Sequence, residues 1–354
     1  MPIQRFTAQN FRCLESIELE PDARYTLICG PNASGKTSML EALAYLGRGK
    51  SFRSSQTSNL IRHGEQAFVL FGRVESGGRT VGVGVRNSRE GLEVRIDGEN
   101  EPGAAALAAA LPLQVIDPAV HNLVSGGPDE RRRFLDWIAF HVEPGYLELW
   151  RRFRRTLKQR NAALKDPAAR AGIAAWDAEF ISLGERVDTT RRRVLETSLS
   201  ALEEQGAALL ASRIGFEYSP GWSADRPLGE VLADNADRDV LLGSTQAGPH
   251  RADLRLSYDE RQARRLVSRG QQKLLASAMV LAAAATAQAA LDQPLLLLLD
   301  DPAAELDKDS LGRLMGRVED LECQVIVTSL DRSALNFPQA PAVFHVEHGA
   351  LCEA

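Results

Sequence analysis

Residues Gly30-Pro31-Asn32-Ala33-Ser34-Gly35-Lys36-Thr37 spell G-x-x-x-x-G-K-T, a spacing suited to cradling the phosphates of a nucleotide. The glycines let successive backbone N–H groups converge on an anion. Lys36 has the reach to meet the β- and γ-phosphates, and the Thr37 hydroxyl is a hard oxygen donor for Mg2+. The bland alternative is a glycine-rich turn, and the flanks oppose it. Residues 24–29 form a short β-rich run, and residues 38–45 have helical spacing and good helix formers. The loop would then lie between a strand and a helix N-terminus, where backbone amides and the helix dipole favour an anion.

Two further stretches could complete such a site. Residues 295–299 are five leucines, followed by Asp300 and Asp301. Asp300 would hold Mg2+ directly or through water, and Asp301 could orient an attacking water. Adjacent acids after a strand are common turn chemistry, so it is the pairing with the phosphate loop that makes them informative. Ser268-Arg269-Gly270-Gln271-Gln272-Lys273 is a polar loop that enters an alanine-rich helix. Ser268 can cap that helix, and the N-terminal amides offer a place for a second anion. The bland reading is an ordinary helix cap.

The elements that must position these residues read as α/β. Residues 3–7 and 16–20 alternate, and hairpins turn at Gly77-Gly78 and at Asp97-Gly98. Residues 104–110 suit a helix and 111–116 a strand. The apolar runs at 25–29, 295–299 and 325–327 lack alternation, as expected of parallel strands buried on both faces. Residues 129–210 change character to long charged segments with helical apolar spacing, broken at Asp166-Pro167 and Gly172. They suggest a helical lobe with a short antiparallel arm. Strand chemistry returns at 215–218 and 251–258, a helical block at 268–292, and the last strand signal falls at 324–328.

Composition sets limits. The chain has 354 residues, 44% hydrophobic and 25% charged, enough for about two domains with real cores. Its net charge of −5 draws no nucleic acid as a whole, so any such site must be a local patch. The four cysteines lie far apart with no C-x-x-C pair, which argues against a zinc site or a disulfide framework and fits a reducing cytoplasm. The first residues lack the apolar core of a secretory signal. Residues 274–291 are uncharged and nearly long enough to span a bilayer, but alanine dominates and Ser277, Thr286 and Gln288 interrupt it. A helix buried in a soluble core, with no membrane contact, is the expectation.

The phosphate loop, the Ser268–Lys273 stretch and the acidic strand end together resemble the ABC-type ATPases, whose signature motif closes on the γ-phosphate held by another subunit. Several matches are similar to the RecF family of recombinational repair proteins. They are Asn10-Phe11-Arg12, residues 30–37, residues 127–136 (GPDERRRFLD), residues 159–162 (QRNA), Gly248-Pro249-His250-Arg251, the signature, and residues 300–307 (DDPAAELD). They run in order along nearly the whole chain.

The resemblance implies an ABC-type ATPase head, with a phosphate-loop sheet core and an antiparallel β subdomain, carrying an inserted helical lobe II with a short coiled-coil arm. The head would comprise 1–128 and 241–354 and the insertion 129–240. It implies ATP and Mg2+ as cofactors, bound by residues 30–37 and, in trans, by Ser268, Gly270 and Gln271. Thr37 and Asp300 would serve the metal. Lys36 and Asp300 would be catalytic, with Asp301 where transporter ATPases carry a glutamate. A shorter acid suits slow, switch-like hydrolysis. Gln114 falls near the glutamine position that senses the γ-phosphate and ligates the metal. No switch histidine is present, and whether Thr328 or Ser329 substitutes is open. The loop at Glu305-Leu306-Asp307 would touch the partner subunit.

The basic residues cluster. Arg151, Arg152, Arg154, Arg155 and Lys158 lie in a stretch with no acid before Asp166, and Arg48, Lys50 and Arg53 follow the first helix. A solvated helix face is the bland account; the density suits phosphate-backbone contacts that carry affinity without sequence preference. The resemblance therefore implies an ATP-dependent homodimer that binds duplex DNA beside single-strand gaps, works with RecO and RecR mediators to load a recombinase, and is released by weak DNA-dependent hydrolysis. A transporter ATPase subunit is the second reading, opposed by the helical insertion and the missing histidine. A DNA clamp that never cleaves its nucleotide is the third.

Overall fold

In the computed structural model, which describes residues 3–169, 172–259, 261–263 and 267–353, the alternating residues near the start form an antiparallel pair, β1 (Ile3–Phe11) and β2 (Leu14–Leu19). Residues 1–2 of the N-terminal stretch lie outside the described residues. The strand β3 (Tyr25–Cys29) is buried throughout and feeds the phosphate loop, after which α1 (Lys36–Arg48) begins. Both hairpins form, β4 (Ala67–Ser76) with β5 (Arg79–Ser88) and β6 (Gly91–Ile96) with β7 (Glu99–Glu101). Then come α2 (Ala104–Ala110) and β8 (Leu113–Ile116).

The middle of the chain is helical, with α3 (Pro128–Val142), α4 (Tyr146–Lys165) and α5 (Ile173–Leu210). α4 stops just before Pro167, whose ring disfavours helical backbone in the residue ahead of it. α5 runs 38 residues, about 57 Å at the usual rise per residue, against 20 for α4, so their shared arm is short. Strands β9 (Ile214–Ser219), β10 (Asp253–Tyr258) and β11 (Arg261–Gln262) make a small antiparallel sheet. The alanine-rich block is α6 (Arg269–Leu291), long and apolar enough to cross a membrane by length and composition; residues 274–284 of it are buried inside the fold. β12 (Leu296–Leu299), α7 (Lys308–Asp320), β13 (Gln324–Ser329), β14 (Ala342–Glu347) and β15 (Ala350–Glu353) complete the chain.

These elements group into two compact units, Met1–Val120 with Asp292–Ala354, and His121–Leu291. The first holds two six-stranded sheets. One, ordered β2-β1-β4-β5-β6-β7, is antiparallel; the other, ordered β15-β14-β3-β13-β12-β8, is parallel except for β15. A single core joins both sheets to α1 through residues such as Phe6, Phe11, Leu40, Leu43, Phe68 and Ile326. Burial on both faces explains why β3, β12 and β13 read as unbroken apolar runs. The second unit holds α3 to α6 with the small sheet.

Two elements escape the sequence pattern. α7 contains Gly312 and Gly316, which weaken helix propensity, yet Asp307 caps it by accepting the amides of Asp309 and Ser310 at 3.1 and 2.9 Å. The hairpin β14–β15 carries His345, Glu347 and His348 among its apolar residues, so its alternation is blurred.

Candidate nucleotide site and nucleic-acid face

The carboxyl ends of the parallel strands define the site, the usual place for ligands on such sheets. β3 delivers Gly30, where a Cβ would stand 2.2 Å from the Val346 carbonyl, so no other residue fits. The loop then turns through positive φ at Ala33 (63°) and Gly35 (116°). Ala33 therefore carries left-handed strain of about 1 kcal/mol that a glycine would not. Pro31, Asn32 and Ala33 are exposed, whereas Ser34, Gly35 and Lys36 are buried. The Lys36 ammonium donates to the loop's own carbonyls, Gly30 at 2.7 Å and Pro31 at 2.9 Å.

Asp300 follows β12, level with the end of β13 and beside α1. Its Oδ1 accepts the Thr37 hydroxyl and the Thr328 hydroxyl, both at 2.9 Å. The Thr328 oxygen also accepts the amide of Asp301 at 2.9 Å. Burial raises the Asp300 pKa above the usual carboxylate range, and the two threonine hydrogen bonds and the Arg53 charge pull it back. Asp301 stands at φ 48°, a left-handed conformation of the kind that gathers at functional sites. Ser329 turns the other way, donating to the Asp331 carbonyl at 2.9 Å. Of the two residues where a switch histidine is missing, Thr328 is the one bonded to the acids.

Gln114 does not join this group. It lies inside β8, and its Oε1 accepts from Arg48 at 3.1 Å. The residue level with Asp300 is Asp117, since the Asp300 amide bonds the Ile116 carbonyl at 2.9 Å. Burial raises the Asp117 pKa, the Ala119 amide hydrogen bond opposes that rise, the neighbouring Asp300 charge adds to it, and the Arg48 charge opposes it further. Burial also draws the Arg48 pKa down to about 10.

The signature stretch belongs to the second unit. Ser268 Oγ accepts the Gln271 amide at 3.3 Å while Gln271 Oε1 accepts the Ser268 amide at 2.9 Å, a reciprocal capping box at the start of α6. At Gly270 a Cβ would meet none of the described residues within 4 Å, although alanine there would favour the helix. On α4, Arg151, Arg152, Arg154, Arg155 and Lys158 are all exposed. Arg152 pairs with Glu179 at 3.0 Å and Arg154 lies over the Trp150 ring, so the stripe is only partly neutralised.

The family model described as RecF/RecN/SMC N terminal domain matches residues 2–350. A protein of Azotobacter vinelandii named DNA replication and repair protein RecF is 40% identical over 364 residues, covering 100% of this chain and 99% of its own length. Its counterpart in Chromohalobacter salexigens is 41% identical over 359 residues, with 99% of each chain covered. The chain belongs to the RecF family. Its fold is similar to solved RecF, described as the recombination mediator protein RecF-ATP in the RecFOR pathway, with a TM-score of 0.89 at 23% identity over 100% of this chain and 97% of that one. It is also similar to an Smc head bound to the C-winged helix domain of ScpA, at a TM-score of 0.60 and 16% identity over 99% of this chain and 96% of that one. The fold is thus an ABC-type ATPase head of the RecF and SMC kind with a helical insertion.

Three of the motifs that carried the resemblance, residues 127–136, 159–162 and 248–251, take part in polar contacts of the helical unit. Arg131 bonds Asp253 at 2.7 Å, Arg160 bonds Asp239 at 2.7 Å, Arg191 bonds Asp136 at 2.8 Å and the Pro249 carbonyl at 2.6 Å, and Asn161 accepts from Thr245. Sequence reasoning missed Asp117 and Glu41; it named Arg48 only for its charge and left Thr328 and Ser329 as alternatives, between which the hydrogen bonds to Asp300 and Asp301 favour Thr328. Asp117 stands at the end of a strand candidate, where its place just after β8 could have flagged it. Glu41 reads as one more polar residue of a helix.

Proposed function

We propose that this RecF-family chain is an ATP-dependent DNA-repair protein, of the cytoplasmic kind, that uses nucleotide as an assembly switch. The functional head comprises residues 1–128 and 241–354, with 129–240 as the inserted lobe. One observation carries the reading: the hydroxyls of Thr37, from the phosphate loop, and Thr328, from β13, both donate to one carboxylate oxygen of Asp300, at the end of β12. Thr37 and Asp300 present the hard oxygen donors that Mg2+ takes, and the ion bound there would neutralise charge on the β- and γ-phosphates. Residues 30–37 cradle the triphosphate, with Lys36 released from its loop carbonyls to the phosphate oxygens. Asp301 orients water for slow hydrolysis. Gln114 acts on the nucleotide at one remove, through Arg48.

Ser268, Gly270 and Gln271 meet the γ-phosphate held by a second copy. Support comes from Gly270, whose bare Cα leaves room that none of the described residues fills. Two copies closed on ATP form a groove for duplex DNA beside a single-strand gap, with Arg151, Arg152, Arg154, Arg155 and Lys158 on the phosphates. Mediators of the RecO and RecR type act with it to load a recombinase, and hydrolysis reopens the pair.

Sedimentation with and without ATP tests the switch. The unmodified chain should pair with ATP, whereas Lys36→Ala should remain single at every ATP concentration. Ser268→Arg should bind ATP as a monomer yet fail to pair. An ATP-independent profile would refute the scheme. Replacing Arg151, Arg152, Arg154 and Arg155 by alanine should reduce the salt slope of DNA affinity by about 3, because Arg152 is already paired. An unchanged slope would return the stripe to a solvated face.

A further inference from the structure

Glu41 stands four residues beyond Thr37 on α1, hence on the same helix face, and its side chain is 0% exposed. A buried carboxylate is costly unless paired, and its partners here come from two separate segments. From the turn between β1 and β2, Arg12 donates Nε to Oε2 and Nη2 to Oε1, each at 2.6 Å. From the basic loop after α1, Ser51 donates its hydroxyl to Oε1, and the Arg53 guanidinium lies 3.7 Å from Oε2. Ser51 in turn accepts the amides of Arg53 and Ser54, both at 2.8 Å. Arg12 also reaches across to the Asn59 carbonyl at 3.0 Å. One carboxylate thus ties the start of the chain and the loop at residues 51–59 to the helix that carries Thr37.

The contacts are unequal. The two-pronged Arg12 pair is the strong form of carboxylate recognition. Arg53 stands beyond hydrogen-bond length and its side chain is 48% exposed. Glu41 itself sits one helical turn from Thr37, whose hydroxyl meets Asp300 at 2.9 Å. We propose that Glu41 is a positioning residue for the nucleotide site, holding the basic loop so that the Arg53 guanidinium is presented to the anionic phosphates. Because Arg12 already neutralises Glu41, a polyphosphate draws Arg53 away without leaving a bare buried charge behind. The inference rests on the nucleotide reading above.

A double-mutant cycle on the affinity for a fluorescent ATP analogue tests it, using Glu41→Gln, Arg53→Ala and the pair. If Glu41 acts through Arg53, each single change weakens binding about tenfold and the double change about tenfold as well. A hundredfold loss in the double variant, or undiminished affinity in Glu41→Gln, overturns the proposal. If Glu41→Gln does not fold, Ser51→Ala, which leaves the Arg12 pair intact, takes its place in the same cycle, and the same two outcomes overturn the proposal. Lys36→Ala separates the two readings. Should the unmodified protein bind the analogue no better than Lys36→Ala, the nucleotide reading fails. The anchor is then judged by amide hydrogen exchange at residues 49–59, which must quicken in Ser51→Ala; unchanged exchange overturns it.

Discussion

Thr328→Val isolates the hydroxyl that links the two acids. Thr328 is fully buried, and valine has nearly its shape, so no cavity opens. Two hydrogen bonds disappear, the one given to Asp300 and the one accepted from the Asp301 amide, each 2.9 Å long. The first is charge-assisted, worth about 1.5–3 kcal/mol, and orphaning a buried amide costs about 1–3 kcal/mol. Partial relaxation brings the sum to about 3 kcal/mol. For a unit of this size that lowers the midpoint of thermal unfolding by about 6–12 °C. Burial raises the Asp300 pKa above its value in the unfolded chain, so ionising this acid opposes folding, increasingly as pH rises from the ordinary carboxylate value to the raised one and in full above it. With one fewer donor, that opposition is greater, and the loss should be larger at pH 7 than at pH 4.5. Thr328→Ser keeps the hydroxyl and should recover most of the midpoint. The assay is thermal melting of both variants at the two pH values, followed by single-turnover ATP hydrolysis. A Thr328→Val midpoint within about 2 °C of the unmodified protein, or equal losses in Thr328→Ser, would refute the linking role.

Other outcomes follow from single features. Ala33→Gly relieves the left-handed strain at φ 63° and should stabilise the head by up to about 1 kcal/mol, seen as a raised melting midpoint. Arg160→Leu strands Asp239, whose side chain is 0% exposed, and should cost about 3–5 kcal/mol in urea unfolding; adding Asp239→Leu should restore part of it. His250 is held neutral by burial, its pKa drawn from 6.5 down to about 4. The unfolded chain therefore takes up its proton first, so the His250 contribution is complete above pH 6.5 and lost as pH falls toward 4. His250→Gln should flatten the pH dependence of unfolding across that window, and an unaltered profile would exclude it.

Local chemistry makes much of the protein legible from its residues alone. The phosphate loop is contiguous, so its spacing by itself announces a strand, a turn and a helix N-terminus around residues 30–37. The apolar runs at β3, β12 and β13 declare parallel burial, and Pro167 and Gly172 mark the bend between α4 and α5. The capping role of Ser268 is readable because both halves of the capping box lie within four residues. Meetings across long separations are not readable in this way. Thr37 and Asp300 are 263 residues apart, and only the register of β3, β13 and β12 decides that Thr328 stands over the acids while Ser329 turns away. The same register makes Asp117, three residues past Gln114, level with Asp300. Glu41 looks like an ordinary polar residue on a helix until packing removes its solvent and brings Arg12 and Ser51 to it from either side. Sequence records which groups are present and their local periodicity; a charge's partner, and the water it loses, are set by contacts that only the folded chain creates.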